Sequence, residues 1–222
     1  MPSWGAAMTP TEQQRDARKQ AFGYTCRACS RCCAHKVIQV NPYEIARLAR
    51  GMAMSTADFR ARYTERGGAI LKRNDDDVCV FLTDKGCGVH PDRPLVCRLY
   101  PLGRRVTPDN VEIWLRATPH PQSEGTFSED GTIADFIEAQ GALPYMRAAD
   151  DYADWVRKAS AVVDAQTVDT GGDADELLDM DGAISAWCKN TGTAEPADIE
   201  QRRLLHLTIL YRQIEPVEGG KT

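Results

Sequence analysis

The chain has 222 residues, 42% of them hydrophobic, enough to bury a core without cross-links. No run approaches the roughly 18 consecutive apolar residues of a membrane span, and the N-terminal MPSWGAAMTPTEQQRDARKQ lacks the basic stretch and apolar run of a secretory leader. The net charge of −5 conceals a basic half, residues 1–110 with 18 Lys+Arg against 11 Asp+Glu, and an acidic half with 9 against 21, but the basic residues are scattered singly and argue against a nucleic-acid partner.

Residues 9–22 read as a short polar helix with Thr9 or Thr11 as N-cap and Glu12 in its first turn. It delivers the chain to CRACSRCC at 26–33, after which VIQV at 37–40 is a strand-like run. Asn41, Pro42 and Glu44 then combine an N-cap, a proline at the first helical position and an acid at the third, predicting a helix through Ile45, Leu48 and Ala49 to a stop at Gly51. Ser55 with Asp58 starts a second helix, which Gly67 and Gly68 break.

VCVFLTDKGCGVH reads as a hairpin, with strand-forming residues Val78 to Leu82 and a turn at Thr83 to Gly86, so that Cys79 and Cys87 face each other across or beside it. A short helix is expected from Pro91 or Asp92 to near Pro101, and VEIWLR at 111–116 is a further strand. The Gly, Ser and Pro of 118–131 mark a joint. From residue 132 onward, four segments carry apolar residues at three- and four-residue steps, as amphipathic helices require.

Seven of the eight cysteines lie between positions 26 and 97. In a cytoplasmic protein, the expected location, thiols stay reduced and such clustering favours metal binding over disulfides. Cys26, Cys29, Cys32 and Cys33 place soft donors on one tight loop, and Cys79, Cys87 and Cys97 are the remote donors that would complete a shell. A tetrahedral zinc or a cubane iron–sulfur cluster takes four protein ligands, leaving three thiols over, whereas two zinc ions would need the seven plus His35 or His90. Adjacent side chains tend to point apart, so Cys32 and Cys33 are difficult partners for a single ion. Cys188, on a helical AISAWCK segment, reads as a core residue.

Together Cys26, Cys29, Cys32 and Cys33, Cys79 with Phe81-Leu82, Gly86-Cys87, Val89-His90 and the run Arg93 to Pro101 around Cys97 resemble the bacterial YkgJ-type cysteine-cluster family, with its C-x-x-C-x-x-C-C signature, over residues 22–103. The resemblance implies a zinc- or iron-chelating domain. Such proteins commonly carry one more cysteine downstream, near a Pro-Gly, but ATPHPQSEG at 117–125 has none, so a centre needing that ligand is either absent or completed by another group, with His120 as one candidate. The flagellin lysine methylases look similar in this module, and that likeness implies an iron–sulfur cluster beside methyl transfer.

The expected fold is mainly α with a few short strands: a cysteine-rich metal-binding module at 1–117, then a helical C-terminal region at 118–222 packed on it as one unit. The expected function is metal binding through Cys26, Cys29, Cys32, Cys33, Cys79, Cys87 and Cys97, holding an iron–sulfur cluster of the 4Fe-4S type or, alternatively, zinc. Arg93 and Arg98 are expected beside the thiolates or in packing roles. The other readings are an iron–sulfur enzyme of methyl transfer or redox chemistry, a structural zinc clip and a metal carrier. The structural clip would serve a protein-interaction module, and the protein partner is left open.

Overall fold

A computed structural model describes residues 17–27, 29–166 and 178–214. It divides into two compact units that interleave along the chain. One contains the described residues up to Cys32 together with Arg98–Leu143; the other contains Cys33–Cys97 and the described residues from Pro144 onward. Two of the boundaries therefore fall at cysteines, between Cys32 and Cys33 and just after Cys97.

The first unit is built on two antiparallel pairs. Strand β1 (Ala21–Thr25) pairs with β8 (Thr126–Thr132), with Tyr24 opposite Phe127 and a bulge near Ala21. Strands β6 (Leu102–Val106) and β7 (Glu112–Arg116) form a regular hairpin. Helix α4 (Ile133–Ala139) follows β8 directly, started by a reciprocal capping box between Thr132 and Asp135. Phe22 is the centre of the apolar packing, edge-on to Phe127 and Phe136.

A buried carboxylate braces this unit. Glu112 receives Nε and Nη2 of Arg18 at 2.8 and 2.7 Å and Nε of Arg104 at 2.8 Å. Burial alone would raise its pKa, but the Arg18 bonds and the Arg104 charge outweigh it and hold the carboxyl below its ordinary range.

The second unit is organised by helix α1 (Pro42–Gly51), whose start follows from its sequence. Asn41 Oδ1 accepts the Glu44 N–H at 3.0 Å, and Glu44 Oε2 accepts the Asn41 N–H at 2.9 Å. Its two faces enter two cores. Ile45, Leu48 and Ala49 join Ile38, Val40, Phe59, Leu71, Cys79 and Phe81; Tyr43 and Ala46 join residues of three later helices.

Those helices are α5 (Leu143–Gln166), α6 (Met180–Thr191) and α7 (Ile199–Ile214), contributing Tyr145 and Tyr152, Ile184 and Cys188, and Leu207 and Leu210. Helix α2 (Thr56–Tyr63), capped by Ser55, begins beside α6, where the Thr56 hydroxyl donates to Asp179, itself the α6 N-cap. Polar contacts tie α7 to α5 and α1: Arg203 pairs with Asp151, Tyr152 hydrogen-bonds His206, and Tyr43 donates to Glu200. Burial first, then the Glu200 carboxylate, push the Tyr43 hydroxyl up to about 12, so it remains a donor.

Two more two-strand pairs lie in the second unit: β2 (Thr64–Glu65) with β3 (Ile70–Leu71), and β4 (Leu82–Thr83) with β5 (Gly86–Cys87). Helix α3 (Leu95–Leu99) carries Cys97. Among the described residues the fold thus holds seven α-helices and eight strands, a mixed α and β architecture with short strands rather than a mainly α one. No described helix is long and apolar enough to cross a membrane.

Several expectations change in detail. The N-terminal helix, most of which lies outside the described residues, stops before Ala21, because Ala21 and Phe22 belong to β1. VIQV forms a single bridge, Gln39 to Ile70, rather than a strand, flanked by Val40 N–H to Ala69 O and Leu71 N–H to Ile38 O. The joint at 118–131 contains most of β8. The helix expected from Pro91 is a 3₁₀ turn, His90–Asp92, and α3 begins only after Pro94, which lacks an N–H. The helical C-terminal region is as expected.

Candidate metal centre

Each unit carries its own set of thiols. In the first, Cys26, Cys29 and Cys32 follow directly on β1. The loop turns at Ser30, whose φ of +59° lies in the left-handed region. The Cys29 sulfur accepts the backbone N–H groups of Glu124 and Arg31 and the Ser123 hydroxyl. These bonds favour the thiolate and lower the Cys29 pKa, against burial and the nearby Glu124 carboxylate, which oppose it.

The loop that supplies those donors is itself held. Ser123 N–H bonds His120 O at 2.7 Å, and Tyr24 Oη lies 3.2 Å from Ser123 Oγ. Tyr100 Oη accepts the His120 N–H at 3.2 Å, while its ring meets Tyr24 edge-on. Burial raises the Tyr100 pKa, against the His120 N–H bond, which lowers it, and the neighbouring Tyr24, Cys32 and Cys29 add to the rise. Gly125 permits the packing: a Cβ there would fall 1.9 Å from Tyr24 Oη.

His120, the expected substitute ligand, is engaged at the wrong atom. Its Nδ1 accepts the Gln122 N–H at 3.1 Å, so in the neutral ring the proton sits on Nε2, leaving no lone pair there for a metal. Ser123 and Glu124 are the residues the sequence reading missed.

In the second unit, Cys33 ends the 3₁₀ turn Arg31–Cys33, and its carbonyl accepts the Cys79 N–H at 2.9 Å. Cys79 is buried in the core beside Phe81, and Cys33 and Cys97 pack against that same core. Cys87 lies on β5, directly opposite Leu82 rather than Cys79. The two-residue turn Asp84-Lys85 sets this register, correcting the expectation that the two cysteines face each other across it. None of the eight cysteines is in a disulfide.

Cys97 is anchored through α1. Glu44 Oε1 accepts the Leu95 N–H at 2.7 Å at the start of α3, and Arg47 Nη2 lies 3.1 Å from Asp92 Oδ1 just before it. The histidines near the thiols have other partners: His35 Nδ1 is 3.1 Å from Asp77 Oδ2, and His90 Nδ1 is 3.3 Å from Arg93 Nη1. Arg98 is buried and donates to Gln140 O at 2.9 Å, a packing role.

Among the described residues, no three His, Cys, Asp or Glu side chains are already gathered as a metal group. An open cleft of about 790 Å³ in the second unit, lined by Arg50, Met52, Met54, Asp58, Arg62 and Asp181 among others, includes no cysteine. The chemistry of the donors nevertheless fits a metal: thiols outside any disulfide, with N–H donors placed on one sulfur as thiolate centres require.

A family comparison agrees with that chemistry. Residues 25–117 match the CxxCxxCC model, described as a putative zinc- or iron-chelating domain. The likeness is to a domain and covers less than half of the chain. The match runs from the last residue of β1 to just past β7 and contains all seven clustered cysteines, so the likeness to a chelating domain falls on the thiols. The Ser123–Glu124 loop lies beyond the CxxCxxCC domain, although it bonds Cys29 within it. No curated protein and no solved structure matches the chain.

Proposed function

We propose that the CxxCxxCC domain binds its metal as thiolates drawn from Cys26, Cys29, Cys32, Cys33, Cys79, Cys87 and Cys97, in the reducing cytoplasm, as an iron–sulfur cluster of the 4Fe-4S type. The observation that carries this is the Cys29 sulfur, to which two backbone N–H groups and a hydroxyl are directed. Hydrogen bonds of this kind stabilise cluster sulfurs and tune cluster potential. When bound, such a cluster supplies electron transfer or an organising charge; the chain's own part is to present the sulfurs, to hold Cys29 with Ser123 and Glu124, and to fix Cys97 through Glu44.

Zinc is the second reading, supported by the description of the matching domain and by a supply of thiols that exceeds the four a closed tetrahedral shell uses. Anaerobic purification followed by iron, zinc and acid-labile sulfide analysis, with a visible spectrum, separates the two. A brown protein with iron and sulfide in equal amounts is expected. A colourless protein with stoichiometric zinc would overturn the iron–sulfur reading.

A further inference from the structure

We infer that the open cleft of the second unit binds a small organic dianion, whose carboxylate or phosphate oxygens are held by Arg50 and Arg62 and whose carbon part lies against Met52 and Met54. No cysteine lines the cleft, so the site is independent of the metal. Its volume of about 790 Å³ is that of a small-molecule site.

The sign of the ligand follows from the charges the protein leaves over. Arg50, Arg62, Asp58 and Asp181 line the cleft. Asp181 is neutralised by Arg202, and Asp58 Oδ2 accepts the Ser55 hydroxyl at 2.7 Å. Neither Arg50 nor Arg62 has an ion pair or a side-chain hydrogen bond among the described residues. Lys72 adds a further cation at the end of α2, where its Nζ donates to the Ala61 and Arg62 carbonyls at 2.9 Å. Arg50, Arg62 and Lys72 therefore stand against Asp58 alone, an excess that two negative charges offset. Scattered singly in the sequence, these cations are gathered by the fold at the ends of α1 and α2, as a point of charge rather than the stripe a nucleic-acid backbone requires. Guanidinium groups suit the task because their planar N–H forks match carboxylate and phosphate oxygens.

The rim of the cleft is held in a definite shape. Helix α1 ends in a paired turn, in which Ala53 N–H bonds Arg50 O at 3.1 Å and Met54 N–H bonds Ala49 O at 3.0 Å. This turn needs a left-handed residue, and Ala53 supplies it at φ +53°, a conformation that costs alanine but not glycine. Ala53 itself lines the cleft, and backbone strain of this kind concentrates where a ligand is clamped. On either side of it, Met52 and Met54 are half-buried, packed on the core and also lining the cleft. Their unbranched, polarizable chains adapt to the carbon part of a ligand.

The test is isothermal titration calorimetry of the full chain at low ionic strength with succinate and, separately, with glycerol 3-phosphate. Saturable one-to-one binding of at least one is expected, the tighter of the two distinguishing carboxylate from phosphate, while uncharged succinamide gives no heat of binding. Arg50→Gln and Arg62→Gln should each weaken binding roughly tenfold or more. Both side chains are exposed and hold no partner among the described residues, so the variants should melt as wild type does by circular dichroism. Lys189→Gln, an exposed cation on α6 outside the cleft lining, should leave binding unchanged. A wild-type chain that binds neither probe overturns the site, as does binding that Arg50→Gln and Arg62→Gln leave intact. Uptake of single-stranded DNA with no response to either small dianion also overturns it, in favour of a polyanion surface.

Discussion

The approach of the Ser123–Glu124 loop to Cys29 is possible because residue 125 has no side chain. A methyl group there would collide with the Tyr24 ring, and Tyr24 is also the partner that holds Ser123. Gly125→Ala is therefore expected to move the loop, withdraw the Glu124 N–H and Ser123 hydroxyl from Cys29, and weaken metal binding roughly tenfold. Competition with a coloured chelator reads that change, and affinity equal to wild type would refute the role given to the loop. Little of this was legible in the sequence. Cysteine spacing identifies thiols as donors, but the N–H of Glu124 belongs to the backbone and leaves no mark in residue type. His120 was legible as a residue type suited to ligation, and the Gln122 N–H that occupies its Nδ1 was not.

Among the elements, α1 shows how far local chemistry reaches. Asn41, Pro42 and Glu44 announce its first turn, and Asn41 and Glu44 form the observed capping box with Pro42 at the first helical position. The sequence does not show that Glu44 also serves α3. Its other oxygen accepts the Leu95 N–H, so one buried carboxylate starts two helices, one of which carries Cys97. Glu44→Gln sets an amide where two N–H groups need acceptors and is expected to cost about 1–3 kcal/mol. Asn41→Ala, which removes only the cap, should cost about 1 kcal/mol. Urea unfolding of the two variants compares them, and a Glu44→Gln chain as stable as wild type would dismiss the double role. The strands were harder to read. β8, TFSEDGT, is too polar to announce itself, and its partner β1 lies about a hundred residues earlier, where no local signal can specify pairing. The β4–β5 hairpin was recognised, but its register was not, because that depends on how short the turn is: two residues put Leu82, not Cys79, opposite Cys87.

At the scale of the whole molecule, the helical texture after residue 132 was plain from apolar periodicity, and the cysteine-rich module was plain from its thiols. The interleaving of two units was hidden, since it arises when the chain leaves one core and later returns to it, a long-range property without local signature. The acidic half satisfies many of its charges within its own unit, through Arg202 with Asp181 and Glu195 and Arg203 with Asp151 and Glu200. The proposed function depends on metal held by thiolates. Native mass spectrometry of the anaerobically prepared chain tests this most directly, beside a chain with all seven clustered cysteines changed to serine. The wild-type chain is expected to carry a metal-dependent mass increment that a chelator removes and the serine chain lacks. A folded wild-type chain that stays at its metal-free mass in the presence of iron, sulfide and zinc would contradict it.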